Sequence, residues 1–228
     1  IFDQRSDGLN AFFSKIYALM GAGVLVSALV SWIMITFFLD NMTAILQSGS
    51  LFFLVLWIIP LVMVVSLQGL AMKNSKMALP IFIGYAAFMG FLISFTLLMY
   101  TKTDITLAFI TAAAMFFGLS VYGRFTKRNL SAMGKAFGVA VWGLIIAMLL
   151  NLFFASSGLT ILISLVGVVI FAGLIAWDNQ KITQVYNANN GQVSDGWAIS
   201  MALSLYLDFI NMFLFLLRLF GIAGGNRD

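Results

Sequence analysis

No cysteine and no histidine occur among the 228 residues of this chain. Their absence removes disulfide frameworks, thiolate nucleophiles, zinc sites and every Ser/His or Cys/His catalytic arrangement. Glutamate is missing as well, so all eight acidic residues are aspartates. Charge of either sign is scarce, at 9% of residues against 62% hydrophobic ones, and the mean hydropathy is +1.06. A chain so composed cannot cover a water-facing surface, which excludes a soluble globular domain. The net charge of +4 is too scattered for nucleic-acid recognition and follows from membrane topology instead. No low-complexity segment and no convincing repeat is present.

What the chain has is apolar runs of helical length. Seven are separated by turn or charge signals, near 16-39, 51-72, 77-100, 104-123, 136-155, 159-182 and 196-220. They predict an all-α integral membrane protein with seven transmembrane helices in a single domain over 1-228, surrounded by the lipid bilayer. The first run begins too late and has too many successors to be a cleaved signal peptide. The start at Ile1 without Met is read as a few missing N-terminal residues.

Positive residues collect in cytoplasmic loops, and here they collect on one side. Arg5 and Lys15 precede the first span, Lys73 and Lys76 follow the second, Arg124, Lys127, Arg128 and Lys135 follow the fourth, and Lys181 follows the sixth. The other side has Lys102, Arg227 and, near the end of the last span, Arg218. The N-terminus is therefore expected in the cytoplasm, and seven spans put the C-terminus outside, whereas a re-entrant last segment would return it to the cytoplasm.

Six of the aspartates, Asp3, Asp7, Asp40, Asp104, Asp195 and Asp228, fall in tails or predicted loops. Asp208 lies in the middle of the apolar run from Gly196 to Phe220, roughly 18 Å from each end at about 1.5 Å per residue. A charge at that depth costs at least about 2.5 kcal/mol, so it needs a partner, a proton or water. At 100° per residue from Ser200, Ser204 falls at about 40°, Asp208 at about 80°, Asn211 at about 20° and Arg218 back at about 0°. The last span thus has a polar stripe, expected to face other helices or a water-filled path, with Arg218 snorkelling to the outer interface.

The remaining aspartate, Asp178, stands in GLIAWDNQKI at the cytoplasmic end of the sixth span. If the helix leaves the bilayer at Lys181, Asp178 is an interfacial anchor beside Trp177. If it continues to Tyr186, Asp178 lies eight residues inward, roughly 12 Å deep, within reach of Asp208 from the next helix. Two carboxylates brought together in a low-dielectric site cannot both ionise cheaply, so the pair holds a proton or demands a cation. Without histidine, any response to pH near neutrality runs through such a carboxylate.

Three segments carry a resemblance: ALSLYLDFINMFLFLLRLFG with its aspartate, the upstream FAGLIAWDNQKI, and the basic LSVYGRFTKRNLSAMGKAF after the fourth span. Together they resemble the Bax inhibitor-1 family, also called TMBIM, in its bacterial form. The resemblance implies two three-helix layers wrapping a central C-terminal helix. It also implies a pH-dependent calcium leak in the bacterial plasma membrane, with an intramembrane aspartate pair, here Asp178 and Asp208, as sensor. In a bacterial relative an arginine after the second span latches the sixth-span aspartate. Judged by the flanking AMKNSKMA, its counterpart is Lys73, which keeps the charge and loses the bidentate fork.

Calcium takes about six to eight oxygens. The two aspartates offer at most four, leaving Asn211, Ser204, backbone carbonyls and water to complete a weak site. Weak binding suits permeation, so calcium is expected as a permeant ion, with no other cofactor. Asn151 and Gln68 are further candidates to line the path. Pro60, in the second span, and the small residues Gly134, Gly138, Gly167, Ala172 and Gly173 are read as structural, for helix packing. An intramembrane aspartyl protease would use two such aspartates, but the second here follows SLYL rather than GxGD and no PAL motif follows, so an enzyme is not expected. The rival class is a membrane-embedded regulator that binds a membrane protease or another membrane protein without transport of its own.

Overall fold

The protein is described here by a computed structural model covering residues 2–47 and 50–225, with side chains at 6–46, 56 and 59–225. Eight helices run through the described residues: α1 (Phe2–Phe37), α2 (Leu39–Gln47), α3 (Ser50–Met72), α4 (Ala78–Leu97), α5 (Lys102–Phe125), α6 (Ser131–Phe154), α7 (Ser157–Ala188) and α8 (Asp195–Gly224). Six are long and apolar enough to cross a membrane: α1 over Ser6–Phe37, and α4, α5, α6, α7 and α8 in full. The expected span at 51-72 coincides with α3, of which Ile59–Met72 counts as a shorter apolar helix. Its side chains at 51–55, 57 and 58 lie outside the described residues, as do Ile1, the side chains of Asp3 and Arg5, and residues Arg227 and Asp228.

Apolar runs mark where lipid begins, and several helices continue past that point. The span expected from residue 16 begins at Phe2, because Phe12, Phe13 and Ile16 supply a buried stripe ahead of the continuous apolar run. The span expected to end at 182 continues to Ala188, where Ile182 and Tyr186 extend the buried face. The segment taken for a loop at 40-50 contains α2, with Asp40 in its first turn and Met42 fully buried. Asp104, expected in a loop, stands at the third position of α5 and closes a capping box. Its backbone N–H donates to Thr101 Oγ1 (3.1 Å), and its carboxylate accepts from the Thr101 hydroxyl (2.7 Å). Asp7, Asp40 and Asp195 likewise lie inside helices, near their N-terminal ends.

Packing groups the chain into two units. The first comprises Ile1–Met99 with Asn189–Tyr206. In it α1 meets α4 at backbone distance: a Cβ on Gly90 would collide with the Ser27 backbone. Ser27 Oγ donates to Ala86 O (2.7 Å) and Ser31 Oγ to Gly90 O (2.6 Å), so each serine hydroxyl is satisfied across the helix pair. Tyr206 shares a 2.7 Å hydrogen bond with Ser27 and stands edge-on to Phe82 and Tyr85. Ser200 Oγ donates to Gln68 Oε1 (2.6 Å), and Lys15 pairs with Asp195 (2.5 Å).

The second unit comprises Tyr100–Ala188 with Leu207–Asp228. Glycines again set the helix spacing. Gly123 of α5 lies against the Ala176 carbonyl of α7, Gly134 of α6 beneath the Trp177 ring, Gly173 against Phe137, and Gly167 against Phe215 of α8. Half of the expected GxxxG packing is absent, since nothing lies within 4 Å of a Cβ placed on Gly138. Phe109 and Phe116 meet Phe209 edge to face, closing α5 onto this part of α8. The α8 window is 78% buried and the α6 window 6%, so α8 is sheathed by protein while α6 offers its apolar side chains to lipid.

Candidate functional site: a buried aspartate pair

Leu174, Asp178, Ile182 and Tyr186 follow one another at four-residue intervals on the buried face of α7. This periodicity carries Asp178 inward with its apolar neighbours, and only 6% of it stays exposed. The deeper placement required a helix that continues to Tyr186, and α7 runs on to Ala188. Asp208, 7% exposed, comes from the part of α8 packed on the same helices. The two carboxyl groups stand close enough to act on each other. No N–H or O–H group among the described residues reaches Oδ2 of Asp208, which is buried. Two ionised carboxylates are acceptors only and cannot hydrogen-bond to each other.

Around the pair, α7 is held in place by polar and steric contacts. Asn179 Nδ2 donates to Ser120 Oγ of α5 (3.1 Å) and to Ile175 O (2.8 Å). Gly123, one turn along α5, admits the α7 backbone beside Ala176. Lys181, three residues after Asp178, lies over the Trp177 ring at 5.0 Å and is close enough to act electrostatically on both carboxyl groups. Among the described residues no cluster of three or more acidic side chains forms, so the pair supplies at most four carboxylate oxygens to an ion.

The other candidates separate into distinct places. Between Ala198 and Leu217 the half-buried positions of α8 are Ser204, Leu207, Asn211 and Leu214, and the rest are buried. Ser204 and Asn211 of the polar stripe thus lie on the less tightly covered side of α8, whereas Ser200 and Asp208 are buried. Asn211 turns its amide back onto its own helix, donating to Leu207 O (2.8 Å), and keeps its carbonyl oxygen available. Gln68 accepts from Ser200 in the first unit. Asn151 uses both ends of its amide in the α6–α7 connection: Nδ2 donates to Thr160 Oγ1 (2.7 Å) and Oδ1 accepts from Ser156 N (3.2 Å). Lys73 is exposed in the turn after α3, and no ion pair to it occurs among the described residues.

Arg218 is half-buried, lies over the Phe215 ring at 5.6 Å and donates to Met148 Sδ (3.6 Å). It neighbours Tyr100, in the connection before α5. Burial raises the Tyr100 phenol above its ordinary value, Arg218 opposes that shift, and Asp104 adds to it. Sequence reading overlooked Lys181 as a companion of the aspartates. Its spacing of three from Asp178 on a helix was the available signal.

Comparison with known proteins agrees with this architecture. The family model described as "Inhibitor of apoptosis-promoting Bax1" matches residues 9–225. The protein YrjE of Lactococcus lactis subsp. lactis is 98% identical over 228 residues, all of this chain and 97% of that protein. A Streptococcus pyogenes serotype M3 protein named as a membrane protein, SpyM3_0260, is 49% identical over 221 residues, 97% of this chain and 96% of its own length. A Borreliella burgdorferi protein is 39% identical over 215 residues, 93% of this chain and 92% of its own. With a family match over nearly its whole length and long apolar helices throughout, this chain belongs to the Bax inhibitor-1 family of integral membrane proteins.

Proposed function

We propose that Asp178 and Asp208 form the proton and calcium sensor of a pH-sensitive cation leak in the bacterial plasma membrane. The observation that carries this reading is the burial of two neighbouring carboxyl groups inside candidate membrane helices. Burying one uncompensated carboxylate is expensive, and burying two side by side is more so. A proton or a cation relieves the repulsion, so occupancy of the pair by either depends on the other. Four oxygens fall short of a calcium coordination shell, leaving water, backbone or the Asn211 carbonyl to supply the remainder. Such a site releases its ion readily, as conduction requires.

In this reading α3 is the seventh span, and the helices form two three-helix layers around α8, whose burial supports the central position. The N-terminus is cytoplasmic, together with Lys73, Lys76, Arg124, Lys127, Arg128 and Lys135. Calcium is cargo here. Protein reconstituted in liposomes should pass calcium, the flux should change with pH, and Asp208→Asn should alter that dependence. Wild-type flux equal to that of empty liposomes overturns the reading.

A further inference from the structure

We propose a second site, separate from the aspartate pair: a pocket between the α5–α6 connection and the outer turns of α7 that binds a phosphate group, free or as a lipid headgroup. The cavity is open and measures about 340 Å³, large enough for a phosphate with an organic substituent. Arg124, Lys127 and Arg128 line it, together with Thr126, Gln180 and Thr183. Three positive residues thus line this cavity, and among the described residues that line it none is acidic.

The rim is fixed in place. Gln180 Oε1 accepts from Leu130 N (2.8 Å) and its Nε2 donates to Arg128 O (2.7 Å), so one α7 side chain clamps the connection at two points. Thr126 Oγ1 accepts from Arg128 N (3.3 Å), turning the chain between the basic residues. In the wall of the cavity, the Thr183 hydroxyl is buried and has no hydrogen-bond partner among the described residues. Buried polar groups are nearly always satisfied, and an anion held in the cavity is the partner this proposal assigns to it. Arginine and lysine with a hydroxyl donor make up a phosphate-binding set. With the N-terminus in the cytoplasm, the pocket lies at the cytoplasmic face, where anionic headgroups meet basic segments.

The test uses the full chain in maltoside detergent, which brings no phosphate group of its own. One arm measures binding of inorganic phosphate by equilibrium dialysis; the other counts phosphatidylglycerol retained by the protein in native mass spectrometry when that lipid is added. Wild-type protein should bind at least one of the two probes, and which one identifies the source of the phosphate. Lys127→Gln/Arg128→Gln should weaken that binding about tenfold or more. Thr183→Val, which leaves every charge in place, should weaken it by about tenfold or more, the loss expected for one hydrogen bond to a charged group. Lys76→Gln/Lys135→Gln removes equal charge elsewhere on the same face and should leave binding within about twofold. Binding of neither probe by the wild type, or an equal loss in the Lys76/Lys135 control, overturns the proposal. If the Lys127/Arg128 variant fails to fold, Thr183→Val decides: unchanged binding in that variant overturns the site.

Discussion

Asp178 of α7 and Asp208 of α8 stand close enough to act on each other, both more than nine-tenths buried. Each removes an alternative from the other. Neither has an aqueous escape, so their charge states are set jointly.

Coupling between them is directly measurable. Asp178→Asn and Asp208→Asn should each displace the pH response of calcium flux. The double variant should differ from the sum of the two by about 0.5 to 3 kcal/mol in the free energy of the response. Additive displacements would show that the two carboxyls titrate independently.

In the proposed sensor, proton and calcium compete for the same oxygens, which fixes the sign of one effect. A ligand that binds the deprotonated pair releases protons, and its apparent affinity falls as pH falls. Adding calcium to weakly buffered protein in detergent should therefore acidify the solution, and Asp178→Asn/Asp208→Asn should abolish the release. Equal acidification from wild type and double variant would place the calcium-linked protons elsewhere.

Lys73 is the proposed latch, with an ammonium where a relative has an arginine. Lys73→Arg adds a bidentate donor and should lower the resting leak, while Lys73→Gln should raise it. Identical flux from the three proteins removes Lys73 from the gate.

Two glycines of the second unit offer a contrast in stability. A methyl on Gly123 would strike the Ala176 carbonyl, whereas one on Gly138 meets nothing within 4 Å. Gly123→Ala should destabilise by about 1 to 3 kcal/mol, by overpacking two helix backbones. Gly138→Ala should be neutral or slightly stabilising, through helix propensity. Thermal unfolding in detergent separates them, and equal melting temperatures would deny the close α5–α7 approach its structural role.

Composition and hydropathy alone determined that this is a multi-span helical membrane protein, because apolar runs of bilayer length have no other stable use. The isolation of Asp208 in its run, and its polar stripe, were equally legible, since helical phase depends on spacing alone. The sequence left undecided how deep Asp178 lies. Its helix continues past the last continuous apolar residues on a buried stripe, Ile182 and Tyr186, that hydropathy does not register. Tertiary packing also turned Asn151 toward a helix connection and divided equivalent-looking glycines into one that touches a neighbour, Gly134, and one that does not, Gly138. Hydropathy averages over a window, whereas burial and hydrogen bonding depend on which neighbour stands opposite one side chain. The pairing of Asp178 with Asp208 is of that second kind: the residues were visible along the chain, and their proximity arose only when α7 and α8 packed.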